Sequence, residues 1–255
     1  PPRPGRVQRC PDPPGRLGAS CSFLALLAAA PAEAGLFAFC DQDDVWLPDK
    51  LSRAAAMLAA CRSGHPALYC ARQRLVGPNL EPLGLSPALQ RPPGFANALV
   101  QNIATGCTMV LNGAARRVVL EGPPPPEGTL HDWWCYLLVT AAGGEVVWDE
   151  EPALLYRQHG TNSVGAPTNA LSRWLGAMRR GARPYLARIV AQAEALEQAP
   201  HLTREARQAI AAMRGLRGRW PLGRLRALHE AGVHRQGWLD DLMLRFWVAM
   251  HGAVD

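Results

Sequence analysis

A chain of 255 residues with 48% hydrophobic and 19% charged side chains can build a sizeable core, as one large domain or a domain with an appendage. Its net charge of +6 is uneven: residues 1–169 hold 13 basic and 14 acidic side chains, whereas 170–255 hold 14 arginines and 7 acids. No nucleic-acid motif accompanies the basic tail, which therefore points to an anionic membrane surface or phosphorylated lipid and excludes a nucleic-acid-binding class.

The seven cysteines are odd in number, sit mostly among apolar residues and show no CxxC or His-paired metal spacing, so they read as reduced core residues of a cytoplasmic protein. Phe23 to Ala30 is the most apolar early stretch. It is too short for a membrane span and lacks the layout of an export signal. Lys50 is the only lysine beside 26 arginines, which reads as a compositional bias.

In chain order, the Pro- and Gly-rich start contains one strand candidate, Arg6 to Cys10, followed by helical spacing over Leu17 to Ala30 that Pro31 ends. A short apolar run, Leu36 to Cys40, has the character of a buried strand. It stops at Asp41, Asp43 and Asp44 in the stretch FAFCDQDDVWLPDKL. Such acids can simply cap the helix expected over Pro48 to Arg62, favouring its positive end. They are equally suited to a hard divalent cation, because the carboxyl edge of an α/β sheet is where ligands sit.

Ala67 to Arg72 reads as a strand, and the segment with Pro78, Pro82, Pro87, Pro92 and Pro93 as a long loop of the substrate-facing kind. NIATGCTMVLN, Asn102 to Asn112, combines a small-residue turn with a strand. Ala114 to Leu120 is expected to be helical, Pro123 to Pro126 extended, and LHDWWCYLLVTAAGG a helix stopped by Gly143 and Gly144. Asp132 in its first turn suits the helix dipole, and the tryptophans behind it would also supply an apolar wall that raises a carboxyl pKa. Strands are expected over Glu145 to Trp148 and Pro152 to Tyr156, with Asp149, Glu150 and Glu151 as a solvated turn. In LYRQHGTNSVG, Arg157 and His159 stand two apart on an extended segment and can face one ligand. From Asn169 the pattern is helical: Ala170 to Arg180, Pro184 to Ala199, Thr203 to Arg214, Leu222 to Ala231 and Gln236 to Met250. The last of these either packs on the core or rests in a membrane interface.

Three segments, DQDDVWLPDKL, TGCTM with HDWW, and YRQHGTN, resemble in order and approximate spacing those of family 2 glycosyltransferases, particularly the rhamnosyltransferase-like group. The resemblance implies an α/β nucleotide-binding fold of the GT-A type over 1–168, a mixed sheet with flanking helices, and a helical, Arg-rich region over 169–255. It also implies that two earlier strands carrying part of the nucleotide pocket lie upstream, which bears on whether these residues are active by themselves.

In similar enzymes the corresponding positions would make Asp43, with His159, a ligand of Mn²⁺ or Mg²⁺, and would set Asp41, Arg157, Thr105 and Gly106 at the donor diphosphate. Asp132 would be the general base. The function implied is inverting transfer of a sugar from a nucleotide-diphosphate donor, dTDP-rhamnose or a UDP-hexose, to a hydroxyl of a lipid-linked glycan precursor. The work would be done in the cytoplasm at the inner face of the membrane, with peripheral contact through the C-terminal helices. A metal-dependent phosphoesterase and an inactive scaffold or interaction module are the competing classes.

Overall fold

The computed structural model describes residues 9–10, 17–158, 181–218 and 220–251. It is a mixed α/β structure with two four-stranded sheets. The first contains β1 (Leu36–Ala38), β6 (Val110–Asn112), β3 (Ala67–Ala71) and β7 (Glu145–Asp149), in that spatial order. β6 runs antiparallel to β1 and β3, whereas β3 and β7 are parallel. The carboxyl ends of β1, β3 and β7 therefore share one edge of the sheet.

β3 is buried on both faces. Leu68 and Cys70 enter one apolar cluster, and Ala67, Tyr69 and Ala71 enter another, following the alternation of side chains along a strand. On the second face lies α2 (Lys50–Ala59), contributing Ala54 and Leu58. On the first lie α1 (Gly18–Ala29), α4 (Gly113–Glu121) and α5 (His131–Ala141). Every residue of α5 is buried, which makes it the central helix of the core.

Two polar side chains fix the helices of this layer. Asn112 accepts from Ala115 N at the start of α4 and from Ala67 N on β3, and donates to His65 O. Arg116 donates to Leu27 O, Ala28 O and Ala30 O, satisfying carbonyls at the end of α1.

The second sheet has the order β2 (Val45–Trp46), β8 (Leu154–Arg157), β4 (Arg74–Val76), β5 (Pro82–Leu85). It changes one expectation: the proline-containing segment after β3 holds the hairpin β4–β5 and the short helix α3 (Phe95–Ala98), not one continuous loop. Pro82 is accommodated because β5 is an edge strand, where a missing N–H costs no ladder bond.

Among the described residues four further helices follow: α6 (Ala182–Leu196), α7 (Arg204–Met213), α8 (Pro221–Glu230) and α9 (Trp238–Met250). They share the large core, which is continuous from Leu27 through Trp134 to Leu186, Ile210 and Val248. Polar ties reinforce the packing. Thr203 N donates to Ala141 O at the end of α5, and Gln236 Oε1 accepts from Gln90 N and Arg91 N. Most of the strand candidate Arg6 to Cys10 and the helix expected at Ala170 to Arg180 lie outside the described residues.

Asp149 is a second correction. It is buried, not a solvated turn residue, and accepts from the Tyr69 hydroxyl at 2.7 Å, from Arg53 Nε at 2.9 Å and from Glu151 N at 2.9 Å. The position ends β7 against α2, so its carboxylate takes the place that solvent would have filled. Replacing it with alanine would take the acceptor from the Tyr69 hydroxyl and from Arg53 Nε, while the other Arg53 nitrogens keep Asp49, Glu151 O and Pro152 O. Urea unfolding of Asp149→Ala is expected to show a loss of about 3 kcal/mol, against less than about 1 kcal/mol for the exposed neighbour Glu150→Ala.

Candidate functional site

The site is assembled at the carboxyl edge of the first sheet. β1 delivers Asp41 and the loop through Asp44, and the short 3₁₀ turn Gly106–Thr108 before β6 delivers Cys107. The start of α2 delivers Lys50, and the first turn of α5 delivers His131 and Asp132. One carboxylate oxygen each from Asp41 and Asp44 and the Cys107 thiol lie within 4.8 Å of one another. Asp43 stands outside that grouping, and its backbone carbonyl accepts from Arg157 Nε at 2.9 Å.

Burial pushes the Asp41 and Asp44 carboxyls above the usual carboxylate range. His131 when protonated, and the charges of Asp43, Asp132 and Lys50, all reach Asp41, so the acidic loop and the α5 terminus share one electrostatic site. Asp44 Oδ1 accepts from Arg157 N at 3.1 Å. Its Oδ2 is buried with no hydrogen bond of ordinary geometry among the described residues, although the Cys107 thiol stands beside the carboxylate. A buried acceptor in that state costs free energy unless a donor or cation reaches it.

That orphaned oxygen is the observation on which a divalent cation can be tested. Asp41 and Asp44 offer hard oxygen donors of the kind Mg²⁺ and Mn²⁺ prefer. Cys107 is a poorer ligand for them, because burial holds its thiol well above the ordinary value and thus protonated. The carboxylates of Asp41 and Asp44 fit a cation held by hard oxygen donors, whereas Asp43, the ligand expected from the sequence, stands outside their grouping. His159, the other expected ligand, lies outside the described residues.

Lys50 is wholly buried beneath this loop. Its Nζ donates to Cys107 O at 2.5 Å and lies 3.5 Å from the centroid of the Trp46 ring. Burial lowers its pKa to about 8, opposed by the nearby carboxylates of Asp44 and Asp41. The only lysine of the chain thus lies buried against the acidic loop. Its uniqueness was the available signal, and only the fold supplies its position.

At the start of α5, Asp132 is 6% exposed. Its Oδ2 accepts from Gly106 N at 2.9 Å and its Oδ1 from Trp133 N at 2.6 Å, while burial raises its pKa. The indole N–H groups of Trp133 and Trp134 donate to Ala98 O and Pro123 O. His131 stacks on Phe23 with centroids 4.1 Å apart and meets Phe39 edge-on at 4.8 Å. Burial lowers its pKa to about 4, so the imidazole is neutral near pH 7, and its Nε2 is buried without a hydrogen bond among the described residues.

At Gly106 a Cβ would come within 2.7 Å of His131 Nε2 and 3.4 Å of Asp132 Cβ, so α5 leaves no room for a side chain there. Thr105 precedes the turn and its carbonyl accepts from Thr108 N and Oγ1. Arg157 donates to Asp43 O and to Pro78 O, joining the acidic loop to the end of β4. Tyr156 adds a phenol whose pKa burial raises, with Cys107, Asp44, Asp41 and Asp43 acting in the same direction. Lys50, Cys107, His131 and Tyr156 are the site members that sequence reasoning missed.

A dTDP-rhamnosyl transferase RfbG of Shigella flexneri is 28% identical to the chain over 137 residues, which is 50% of this chain and 44% of that relative. The chain therefore spans less than half of the relative's length in the matched region. No family model matches, and no solved structure matches.

Two measurements check the packing of the site. Gly106→Ala is expected to cost about 1–3 kcal/mol in thermal or urea unfolding, much of it recovered when combined with His131→Ala, because one imidazole is the main obstruction. Lys50 releases its proton near pH 8 when folded and near 10.5 when unfolded, so between these values the unfolded chain binds more protons. The stability Lys50 contributes therefore rises across that window. Relative to Lys50→Met, the parent should gain on the order of 2–3 kcal/mol from pH 8 to 10.5, read as the difference of two urea titrations.

Proposed function

We propose that this chain carries the catalytic edge of a glycosyltransferase that moves a sugar, rhamnose before other hexoses, from a nucleotide-diphosphate donor to an acceptor hydroxyl. The observation that carries the reading is the convergence of Asp41, Asp44 and Asp132 on one sheet edge from segments that are far apart in sequence. The similarity to a dTDP-rhamnosyl transferase supports the donor class, and the DQDD, HDWW and YRQH segments support the assignment of roles. A lipid-linked glycan is the acceptor this reading favours.

Asp41 and Asp44 would hold a divalent cation, which when bound supplies positive charge to the leaving diphosphate, where negative charge grows in the transition state. Arg157 braces the acidic loop from β8 by its bonds to Asp43 O and Asp44 Oδ1, keeping the carboxylates turned toward that edge. Lys50 supports the same loop from beneath and limits the repulsion among its acids. Neutral His131 and the Gly106–Thr108 turn form the floor between the loop and α5.

In the reaction step, the acceptor hydroxyl loses its proton to Asp132 as its oxygen attacks the anomeric carbon. The bond to the leaving diphosphate oxygen breaks on the opposite face, and a single displacement inverts the configuration. The raised pKa of Asp132 suits a proton acceptor working near neutrality.

Its deep burial and its bond to Gly106 N favour a second reading, in which Asp132 only fastens the 106–108 turn. Asp132→Asn separates the two, since an amide oxygen can still accept from Gly106 N but cannot take a proton. A base is expected to show as a loss of turnover of roughly 10²- to 10⁴-fold with donor binding unchanged. A fastening role alone would leave the rate near that of the parent. Asp44→Ala should abolish the Mn²⁺-dependent thermal shift given by dTDP-rhamnose or UDP-hexoses, whereas Asp43→Ala should reduce it less. Release of phosphate from simple esters without an acceptor would instead support a phosphoesterase.

A further inference from the structure

The last helix, α9, is apolar on both sides. Met243, Leu244, Trp247 and Val248 are buried against the core, while Trp238, Leu239, Leu242, Phe246 and Met250 face outward at 48–66% exposure. Trp238, Leu242, Phe246 and Met250 recur every fourth residue, so they form one continuous stripe along the helix. Arg224 at the start of α8 donates to Val248 O and Ala249 O, which brings the α8 terminus to the end of this stripe. Trp220 and Leu222, 79% and 80% exposed, extend the apolar surface there. An exposed set of this size, including two tryptophans and a phenylalanine, marks a contact surface.

Its surroundings decide what it contacts. Beside the stripe lies an open cleft of about 470 Å³ lined by Arg91, His229, His234 and Arg245, with no acidic side chain in the lining. Arg245 belongs to α9 itself and joins cleft to stripe. The region that presents them, 170–255, carries 14 arginines against 7 acids. Arg245 is held by Asp241 of the same helix at 3.2 Å, and Arg91 is the other guanidinium of the cleft. An anionic lipid surface supplies both complements: phosphate for the cleft and hydrocarbon for the stripe. α9 has 13 residues, about 20 Å of helix, so it can lie along an interface but not cross a bilayer. Among the described residues no helix is long and apolar enough to cross one.

We propose that the outer face of α9, with the Arg91–His229–His234–Arg245 cleft, is a docking surface for anionic phospholipid. Aromatic and aliphatic side chains enter the headgroup boundary, and a lipid phosphate sits in the cleft. The surface is separate from the acidic site, so it stands whether or not the sugar-transfer reading holds.

The test is co-sedimentation of the whole chain with vesicles of phosphatidylcholine alone and of phosphatidylcholine mixed with phosphatidylglycerol. Binding is expected to the mixed vesicles, to weaken as salt is raised, and to fall roughly a hundredfold in Trp238→Glu/Phe246→Glu. Arg91→Glu is expected to lower it roughly tenfold. Brominated lipid should quench tryptophan fluorescence of the parent protein, a readout that needs no variant. Equal binding to both vesicle types, absence of quenching, or a dimer that the double substitution dissociates would overturn the proposal.

Discussion

A single buried ammonium holds the site together. Lys50 lies under the loop that follows β1, donates to the carbonyl of Cys107 and covers the Trp46 ring, so it joins α2, β2 and the turn before β6. Desolvating a charge at this depth is costly, and the nearby Asp41 and Asp44 offset the cost by keeping the proton in place. The dependence runs both ways. Without a cation beneath them, the carboxylates of a half-buried loop would repel one another and draw protons, and the loop would lose its reason to stay folded over the sheet edge.

The opposite wall is built by different means. α5 is buried along its whole length, so its N-terminus cannot turn to solvent to satisfy its first amides. Asp132 does this locally by accepting from Trp133 N, and at a distance by accepting from Gly106 N. His131 occupies the space next to that glycine, held by Phe23 and Phe39. Two elements 26 positions apart thus become one rigid wall facing the acidic loop, with a neutral imidazole between two carboxylates whose protonation burial favours. This is the arrangement a proton-accepting site needs, and it is also compact enough to serve structure alone.

The charge of the molecule is divided in the same way as its chemistry. Acids gather at the sheet edge in the first part of the chain, while the arginine-rich helices α6 to α9 complete the core on their apolar sides and present cations outward. α9 departs from this rule by leaving its aromatic face uncovered beside a cleft of arginines and histidines.

Much of the secondary structure is legible in the sequence, because periodicity and punctuation are local. Pro31 and the paired glycines 143 and 144 stop α1 and α5, the run Leu36 to Cys40 contains β1, and α6 to α9 follow their apolar spacing within a few residues. The DQDD and HDWW segments single out Asp41 and Asp132, which the fold brings close enough for their charges to interact. What the sequence could not decide is which atoms meet. Asp44 and not Asp43 joins Asp41 because the Arg157 amide on β8 turns it inward, and that strand is over a hundred residues away. Gly106 answers to His131, Asp149 is buried by Tyr69 and Arg53, and the proline segment pairs as a hairpin on a sheet edge. Composition and spacing fix what each segment can form by itself. The partners of a charge, and therefore its protonation and its role, depend on contacts that exist only after distant segments have packed.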